Sequence, residues 1–452
     1  MTFDVIIAGG GAAGATAAAA LAEFGYRILI VEPGLDHSKR LAGELIHPRG
    51  VRDFGELGLL NCLYEAGATP VHGFVVFAGD QAVTAPDSVV SPETGAYLLP
   101  YEAMAGHDQH GLAIEHRHLA EALLREVTKL PNVTVWRGAR VSGIDLSRAD
   151  RATAVVASVE GERRLEAKLL IAADGRNSHL RRMAGIADKQ IRISSMLGYT
   201  LTPGRLPHPG FGHVFATGPA PALAYTIAPG TTRLMLDLPL RRGAGQTPES
   251  LQPYVEAMPR TMRSDVQRAM NSQAPLRSIN SFIIPEAVVK GRLVCAGDSG
   301  GCCHPLTATG LSACTRDAIR LRQALREAGG DIPTALTCYA SMREGPQRTR
   351  LAGAGVLYDV FKGDSPATRL LRQGLLRYWR HSARGRAETV ALLSTQEDRL
   401  SVLIREYIQV CRHALPSLIR WRGEGGAPHD TRSQAMVGLS RAMLTFFARN
   451  VF

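Results

Sequence analysis

The feature that most constrains the fold is a glycine motif set between an apolar run and an alanine-rich run near the start of the chain. Residues 3–8 are apolar and rich in β-branched side chains, the pattern of a buried parallel strand. They lead directly into Gly9-Gly10-Gly11-Ala12-Ala13-Gly14, a G-x-G-x-x-G sequence. The alanine-rich stretch 12–24 predicts a helix that Gly25 ends, and residues 26–31 predict a second strand finishing at Glu32. Gly9 then makes the tight turn, Gly11 lets the backbone approach a pyrophosphate, and Gly14 permits close helix–strand packing. The helix N-terminus turns its unpaired N–H groups toward the phosphates. Glu32 stands where a carboxylate accepts from ribose hydroxyls.

Such a turn suits FAD or NAD equally, and the next segment separates them. Residues 38–50, SKRLAGELIHPRG, are polar and contain glycine, and they precede a helix expected at 51–57. A free-standing NAD domain usually proceeds directly to further βα units. In an FAD arrangement this segment crosses the cofactor, with Arg40 available to a phosphate and a solvated surface role as its alternative.

Further along, residues 71–77 and 83–90 read as strands, and 118–130 as an amphipathic helix using Leu119, Leu123, Val127 and Leu130. Arg117, at its start, can approach the cofactor's polar edge or pair with Glu121 four residues on. Strands are expected at 133–136, 140–144, 152–159 and 167–173, with 160–166 as a charged turn. Asp174 and the residues to Ser178 follow the last of these, where such folds collect ligands; helix capping by either residue is the plainer alternative. Short strands at 192–201, 212–215, 223–227 and 231–238 suit an antiparallel sheet forming a substrate wall, and 251–269 is mostly helical.

The most specific stretch begins at Gly291. Residues 293–296 predict a strand ended by Gly297-Asp298, and a helix begins near Gly310 and continues past Leu321. Asp298 can reach a ribitol hydroxyl. The backbone after Pro305 supplies a helix N-terminus near the pyrimidine edge of a flavin, where negative charge develops on reduction. His304 fits a positioning role better than that of a general base. Cys302 and Cys303 lack C-x-x-C spacing, so no redox-active pair is expected.

With 452 residues, the chain needs two or three domains. We expect a discontinuous cofactor domain (1–70, 110–185, 286–345), a substrate domain (71–109, 186–285) and a C-terminal helical region (346–452). The net charge of +11 is concentrated in the last quarter, where residues 341–452 carry 18 Lys or Arg against 9 Asp or Glu. That region suits an anionic membrane surface or solvent; a nucleic-acid module would not account for the two cofactor halves. The seven cysteines show no metal spacing. Neither a signal peptide nor a run of 18 uncharged apolar residues is visible, so a cytoplasmic protein is expected.

The chain resembles the flavoprotein monooxygenases, and squalene epoxidase and its relatives most of all. The resemblance rests on GGGAAG at 9–14, VEP at 31–33, GELIHPRG at 43–50, ADGRNS at 173–178 and GDSGGCCHPLTATGL at 297–311. It continues through PAPALAYTIAPGTTRLMLDLP at 219–239, LYDVF at 357–361 and LRQGLLRYW at 371–379, covering about residues 1–400. It implies a Rossmann-like α/β fold with an inserted antiparallel-sheet domain and a helical C-terminal region. It further implies non-covalent FAD, reduction by NADPH or NADH, and O2 addition at flavin C4a to give a hydroperoxide that transfers oxygen to an isoprenoid double bond. Glu32 and Asp298 would hold the ribose and ribitol, and Arg40 and Arg117 the pyrophosphate and polar portions. Asp174 and Gly175 match a second dinucleotide motif, and Pro305 and Gly310 shape the flavin-facing loop. One departure stands out: Ala308-Thr309 occupy positions where the relatives carry a glycine run.

The same framework would serve a reductase or dehydrogenase of a polyprenyl chain, or an aromatic hydroxylase. Electrons could also come from a partner reductase. A flavin halogenase is disfavoured because no G-x-W-x-W-x-I-P segment is found. Residues 370–380, 400–410 and 436–448 mix apolar and basic side chains, which predicts helices lying peripherally on the cytoplasmic face of an anionic membrane.

Overall fold

The computed structural model describes residues 3–34, 41–78, 96–104, 110–240, 245 and 247–419. The chain divides into two compact units. Unit 1 comprises Met1–Thr69, Gly111–Arg192 and Asn280–Gly345; unit 2 comprises Pro70–His110, Ile193–Ile279 and Pro346–Phe452.

Unit 1 is built on a six-stranded sheet of β1 (Val5–Ala8), β2 (Ile28–Glu32), β3 (Val133–Arg137), β4 (Leu169–Ala172), β5 (Val289–Lys290) and β6 (Leu293–Cys295). The spatial order is β5-β6-β4-β1-β2-β3, parallel except for the β5–β6 edge. Alternate residues serve two cores. Val5, Ile7, Ile28, Ile30, Leu169 and Ile171 pack among helical residues, whereas Ile6, Ala8, Leu29, Val31, Leu170 and Ala172 pack against a second sheet. That double burial is why the strands read as continuous apolar runs. Besides a short helix at Leu60–Glu65, the helices of this unit are α1 (Ala12–Ala22), α2 (Pro48–Glu56), α3 (His116–Val127), α4 (His179–Met183) and α5 (Gly310–Glu327). A long helix, α6 (Ile332–Lys362), begins here and continues into unit 2.

The second sheet corrects one expectation. Residues 160–166 are not a charged turn: Gly161–Ala167 is a strand, paired antiparallel with Ala152–Ser158, which in turn pairs with Arg140–Asp145. Glu162, Arg164 and Glu166 alternate onto a solvated face, Leu165 and Ala167 are buried on the other, and Arg163 on that second face lies over the Trp136 ring. Helix α2 also begins earlier than expected, with Pro48 in its first turn, where a missing N–H costs nothing.

Unit 2 contains a seven-stranded sheet in the order Leu276–Pro285, Asp188–Leu201, Thr231–Pro239, Ala222–Ala228, Gly212–Phe215, Gly73–Phe77, Tyr97–Pro100. It is mixed, not antiparallel, because Gly212–Phe215 runs parallel to Gly73–Phe77. The helix expected over 251–269 is two helices, Pro248–Glu256 and Arg260–Ser272; Pro259 caps the second and disfavours continuation of the first. The C-terminal helices are α7 (Pro366–His381), α8 (Ala383–Leu393) and α9 (Leu400–Ile419). The expected strand 83–90, the segment 436–448 and Arg40 lie outside the described residues.

The membrane reading of 370–380 is corrected by packing. Leu370, Leu371, Leu375, Leu376, Tyr378 and Trp379 are all buried. A Cβ on Gly374 would fall 2.5 Å from the Val410 carbonyl oxygen and 2.9 Å from Ala414 Cβ, so α7 and α9 meet at close backbone range. The Tyr378 hydroxyl donates to Glu406 at 2.7 Å across that seam. Among the described residues no helix is long and apolar enough to cross a membrane.

Candidate active site

The candidate cofactor site lies within unit 1, where two turns follow parallel strands. The first is the glycine turn between β1 and α1. Gly9 has φ +106°, and an added Cβ would sit 2.4 Å from the Ala173 carbonyl oxygen. At Gly14 the Cβ would fall 1.9 Å from the Gly9 carbonyl oxygen. Both glycines are therefore required by the protein itself. Gly11 differs: its Cβ would meet nothing within 4 Å, leaving the open backbone a bound phosphate needs. Helix α1 begins there with no side-chain cap and no acidic residue in its first turn, so its N–H groups and dipole remain available to an anion.

Glu32 ends β2 and is buried. Its Oε2 accepts from the Gly10 N–H at 2.6 Å and its Oε1 from the Gly34 N–H at 2.7 Å. Each oxygen retains acceptor capacity for a hydroxyl. Arg117 is exposed near the start of α3, where its charge helps to lower the Glu121 pKa behind the larger effect of Arg137. Glu121 holds Arg137 bidentately, at 3.1 and 3.0 Å, because β3 brings that guanidinium alongside. Arg117 hydrogen-bonds to none of the described residues.

Asp174 does cap a helix. Its Oδ2 accepts from the His179 and Leu180 N–H groups at 2.7 and 3.1 Å, and Ser178 Oγ accepts from the Arg181 N–H at 3.0 Å. Its other oxygen, Oδ1, is buried without a partner. Next to it Gly175 takes φ +80°.

The second turn is Gly297–Gly300, a 3-10 turn after β6. Asp298 is partly exposed, and its carboxylate has no partner among the described residues. Gly297 lies against α1: a Cβ there would be 2.8 Å from Ala13 Cβ and 2.9 Å from Cys314 Sγ. The two turns are thereby brought together at one end of the sheet. Beyond, Pro305–Thr307 forms another 3-10 turn, with Pro305 exposed. His304 is fully buried and its Nδ1 accepts from the Leu306 N–H at 3.2 Å, a positioning geometry. Gly310 opens α5, again with no side-chain cap and no acid in the first turn, and its Cβ would meet nothing within 4 Å. Ala308 sits at φ +50°, in the left-handed region where glycine is preferred.

Several supporting residues escaped sequence reasoning. His47 is wholly buried, its Nε2 lies 2.8 Å from the Thr307 carbonyl oxygen, and burial lowers its pKa to about 4. Arg181, Asp317 and Arg343 are buried around the second turn. Their sequence neighbours give no signal for this. All seven cysteines are free, and no metal-binding cluster occurs among the described residues.

The residues present fit FAD: two uncapped helix N-termini, an open glycine between two sterically required ones, an unpartnered Asp298 and a buried orphan oxygen on Asp174. The FAD-binding-domain pattern matches residues 4–42, and the squalene epoxidase pattern matches residues 166–429, more than half of the chain. Squalene monooxygenase of Mus musculus is 24% identical over 91% of this chain and 71% of its own length. Squalene epoxidase of Schizosaccharomyces pombe is 25% identical over 91% of this chain and 90% of its own. The solved structure of p-nitrophenol 4-monooxygenase from Pseudomonas putida superposes with a TM-score of 0.70 at 18% identity, covering 87% of this chain and 98% of that one, a likeness of fold. Fold, site and relatives define an FAD-dependent monooxygenase. Within that class, the chain belongs to the squalene epoxidase family.

Proposed function

We propose that unit 1 holds FAD along the line of the two turns and that unit 2, with its mixed sheet, contacts an apolar isoprenoid substrate. The observation that carries this reading is the contrast among the glycines. Gly9 and Gly14 are fixed by protein contacts, while Gly11 and Gly310 keep backbone open where nothing in the protein requires it. Glu32 accepts from the adenosine ribose, Gly11 and the α1 N-terminus meet the pyrophosphate, and Arg117 offers an exposed guanidinium to the cofactor's polar portion. Arg40 would approach a phosphate, a role that rests on the resemblance of its segment to the FAD-crossing segment of the family. Asp298 accepts from the ribitol, and Asp174 Oδ1 takes a donor from FAD or nicotinamide. Pro305 and Gly310 shape the flavin-facing loop, and the α5 N-terminus faces the oxygen on which negative charge develops during reduction.

FAD held by these residues would supply oxygen-transfer chemistry: with two electrons from NADPH or NADH and two protons, one atom of O2 would go to an alkene and the other to water. The protein's own contribution is to bind, orient and exclude water, and no acid–base pair is required of it. We favour a prenylated or terpenoid substrate over squalene itself, because Ala308-Thr309 add side-chain volume in the flavin-facing loop. Peripheral contact with an anionic membrane, on the cytoplasmic side, rests on α9, where Ile408, Arg412 and Leu415 are exposed at helical spacing on one face.

The test is anaerobic reduction of the yellow holoenzyme by NADPH or NADH, followed by labelled O2 and candidate alkenes, with product mass measured. One labelled oxygen in the product supports the monooxygenase. Saturation of a double bond without label marks a reductase. Failure of both nicotinamides to bleach the flavin assigns the electrons to a partner reductase.

A further inference from the structure

The turn that presents Asp298 is clamped by buried arginines arriving from two separate elements. Arg181, at the end of α4, is 1% exposed and Arg343, in α6, is 3% exposed. Arg343 donates through Nη1 to the Gly300 carbonyl at 2.7 Å and through Nη2 to the Gly297 carbonyl at 3.4 Å. Arg181 Nη1 donates to the Ser299 carbonyl at 2.6 Å. The remaining carbonyl of the turn, that of Asp298, accepts from the Gly301 N–H at 3.1 Å. Every carbonyl of Gly297–Gly300 is thus accounted for, three of them by guanidinium groups.

Each arginine is itself held by a carboxylate. Arg343 Nε lies 2.9 Å from Asp317 Oδ1, and the other oxygen of Asp317 accepts from the Gly297 N–H at 2.8 Å. Arg181 donates to Asp188 Oδ2 from Nε and Nη2, at 2.9 and 2.6 Å. Gly300 completes the fit, since a Cβ there would come within 2.8 Å of the Arg343 guanidinium. Burying two ion pairs is costly, and replacing them with apolar residues would generally cost little stability. A planar fork with several fixed donors, however, sets a backbone conformation that apolar packing cannot set.

We infer that Arg343 with Asp317, seconded by Arg181 with Asp188, is the positioning apparatus that holds Asp298 in the conformation that accepts from the FAD ribitol. The inference rests on the assignment of Asp298 to the ribitol, and the experiment separates the two.

FAD release from the full-length holoenzyme is followed by the rise in flavin fluorescence on dilution, for Asp298→Ala, Arg343→Lys and the double variant. Lysine keeps a cation opposite Asp317 but cannot reproduce the fork. Each single variant should release FAD roughly tenfold faster, the loss of about one charge-assisted hydrogen bond. The double variant should release it no faster than Asp298→Ala alone, because the second change acts through the first. The visible circular dichroism of bound flavin should change in Arg343→Lys. Effects that multiply in the double variant would make Arg343 a packing residue and overturn the inference while leaving Asp298 in place. Unchanged release in Asp298→Ala would overturn the ribitol assignment and this inference with it. If Arg343→Lys does not accumulate as folded protein, Asp317→Asn enters the same cycle with the same outcomes, since it keeps volume and loosens the arginine.

Discussion

The two turns are assigned to one cofactor, yet they are held by opposite means. The Gly9–Gly14 turn is held by backbone sterics, Gly9 against Ala173 and Gly14 against Gly9, with Glu32 the charged side chain hydrogen-bonded into it and the Thr16 hydroxyl donating to the Ala12 and Ala13 carbonyls. The Gly297–Gly300 turn is held by charged side chains that come from 20, 43 and 118 residues away. A backbone-held turn tolerates change in its surroundings but no added atom within it. A charge-held turn has a further point of failure, the removal of one partner of a buried pair. Mutation should therefore separate them.

The largest effect is expected at Arg343. Arg343→Met takes the close partner from buried Asp317 and leaves it only the longer contact to Arg320 at 3.9 Å, which costs about 3 kcal/mol. Joint replacement by Arg343→Met and Asp317→Leu should recover part of that stability without recovering FAD retention. Thermal unfolding with flavin quantification reads both; full recovery of flavin binding would show that the charges are dispensable to the second turn.

Next comes the pair Gly14→Ala and Gly11→Ala. At Gly14 the new Cβ would strike a backbone oxygen, so the turn must move at a cost of about 3 kcal/mol. At Gly11 it meets open space, so the unfolding midpoint of the flavin-free protein should stay unchanged while flavin content collapses. A Gly11→Ala protein that purifies with a full complement of FAD breaks the proposed division between structural and ligand-facing glycines.

These contrasts also mark what could be read in the sequence. The β1-α1-β2 unit was legible because a β-branched run, three spaced glycines, an alanine helix and a terminal acid all fall within 32 residues. Glu32, Asp174 and Asp298 were legible as acids at strand ends, and Ser178 as a cap. What was not legible depends on distant partners. Arg117 and Glu121 have ideal helical spacing, yet Arg137 on β3 takes the carboxylate. The 161–167 strand hid behind exposed charges because only one of its faces is buried. The apolar and basic mixture at 370–380 suits a membrane surface and a helix–helix seam equally, and Gly374 against Val410 decides for the seam. Nothing near Arg181 or Arg343 in sequence distinguishes them from surface arginines.

A pH effect sharpens the comparison, because the Pro305–Thr307 turn, which we assign to the flavin-facing loop, also leans on a buried titratable group. His47 contacts the Thr307 carbonyl, and burial lowers its pKa from an ordinary 6.5 to about 4. The folded protein resists a proton that the unfolded chain accepts. Stability from this site is therefore fully present above pH 6.5, falls as pH drops toward 4, and changes no further below that. The shift corresponds to about 3 kcal/mol across the window. His213, in unit 2, is also lowered to about 4 by burial and adds a slope over the same window. His47→Gln removes only the unit 1 share, so its stability should fall less steeply than that of the parent between pH 7 and 5. Parallel curves for the two proteins would show that His47 is protonated in the folded state.

The smallest effect expected lies at Ala308, where the flavin-facing loop departs from both patterns of support. With φ +50° and ψ 25°, this alanine is held in the left-handed region, at a local cost of about 1 kcal/mol relative to glycine. Ala308→Gly removes that strain in the folded state but gives the unfolded chain more freedom, which opposes the gain by a similar amount. The net change in stability should lie within about 0.5 kcal/mol. Its consequence should appear instead in selectivity, because the methyl group occupies space in the flavin-facing loop while adding nothing to the arginine clamp. The variant should retain FAD like the parent and accept bulkier alkenes, measured as a changed ratio of kcat/KM between a short and a long isoprenoid. An unchanged ratio would remove Ala308 from the substrate-selecting surface and leave its conformation as a local feature of the turn.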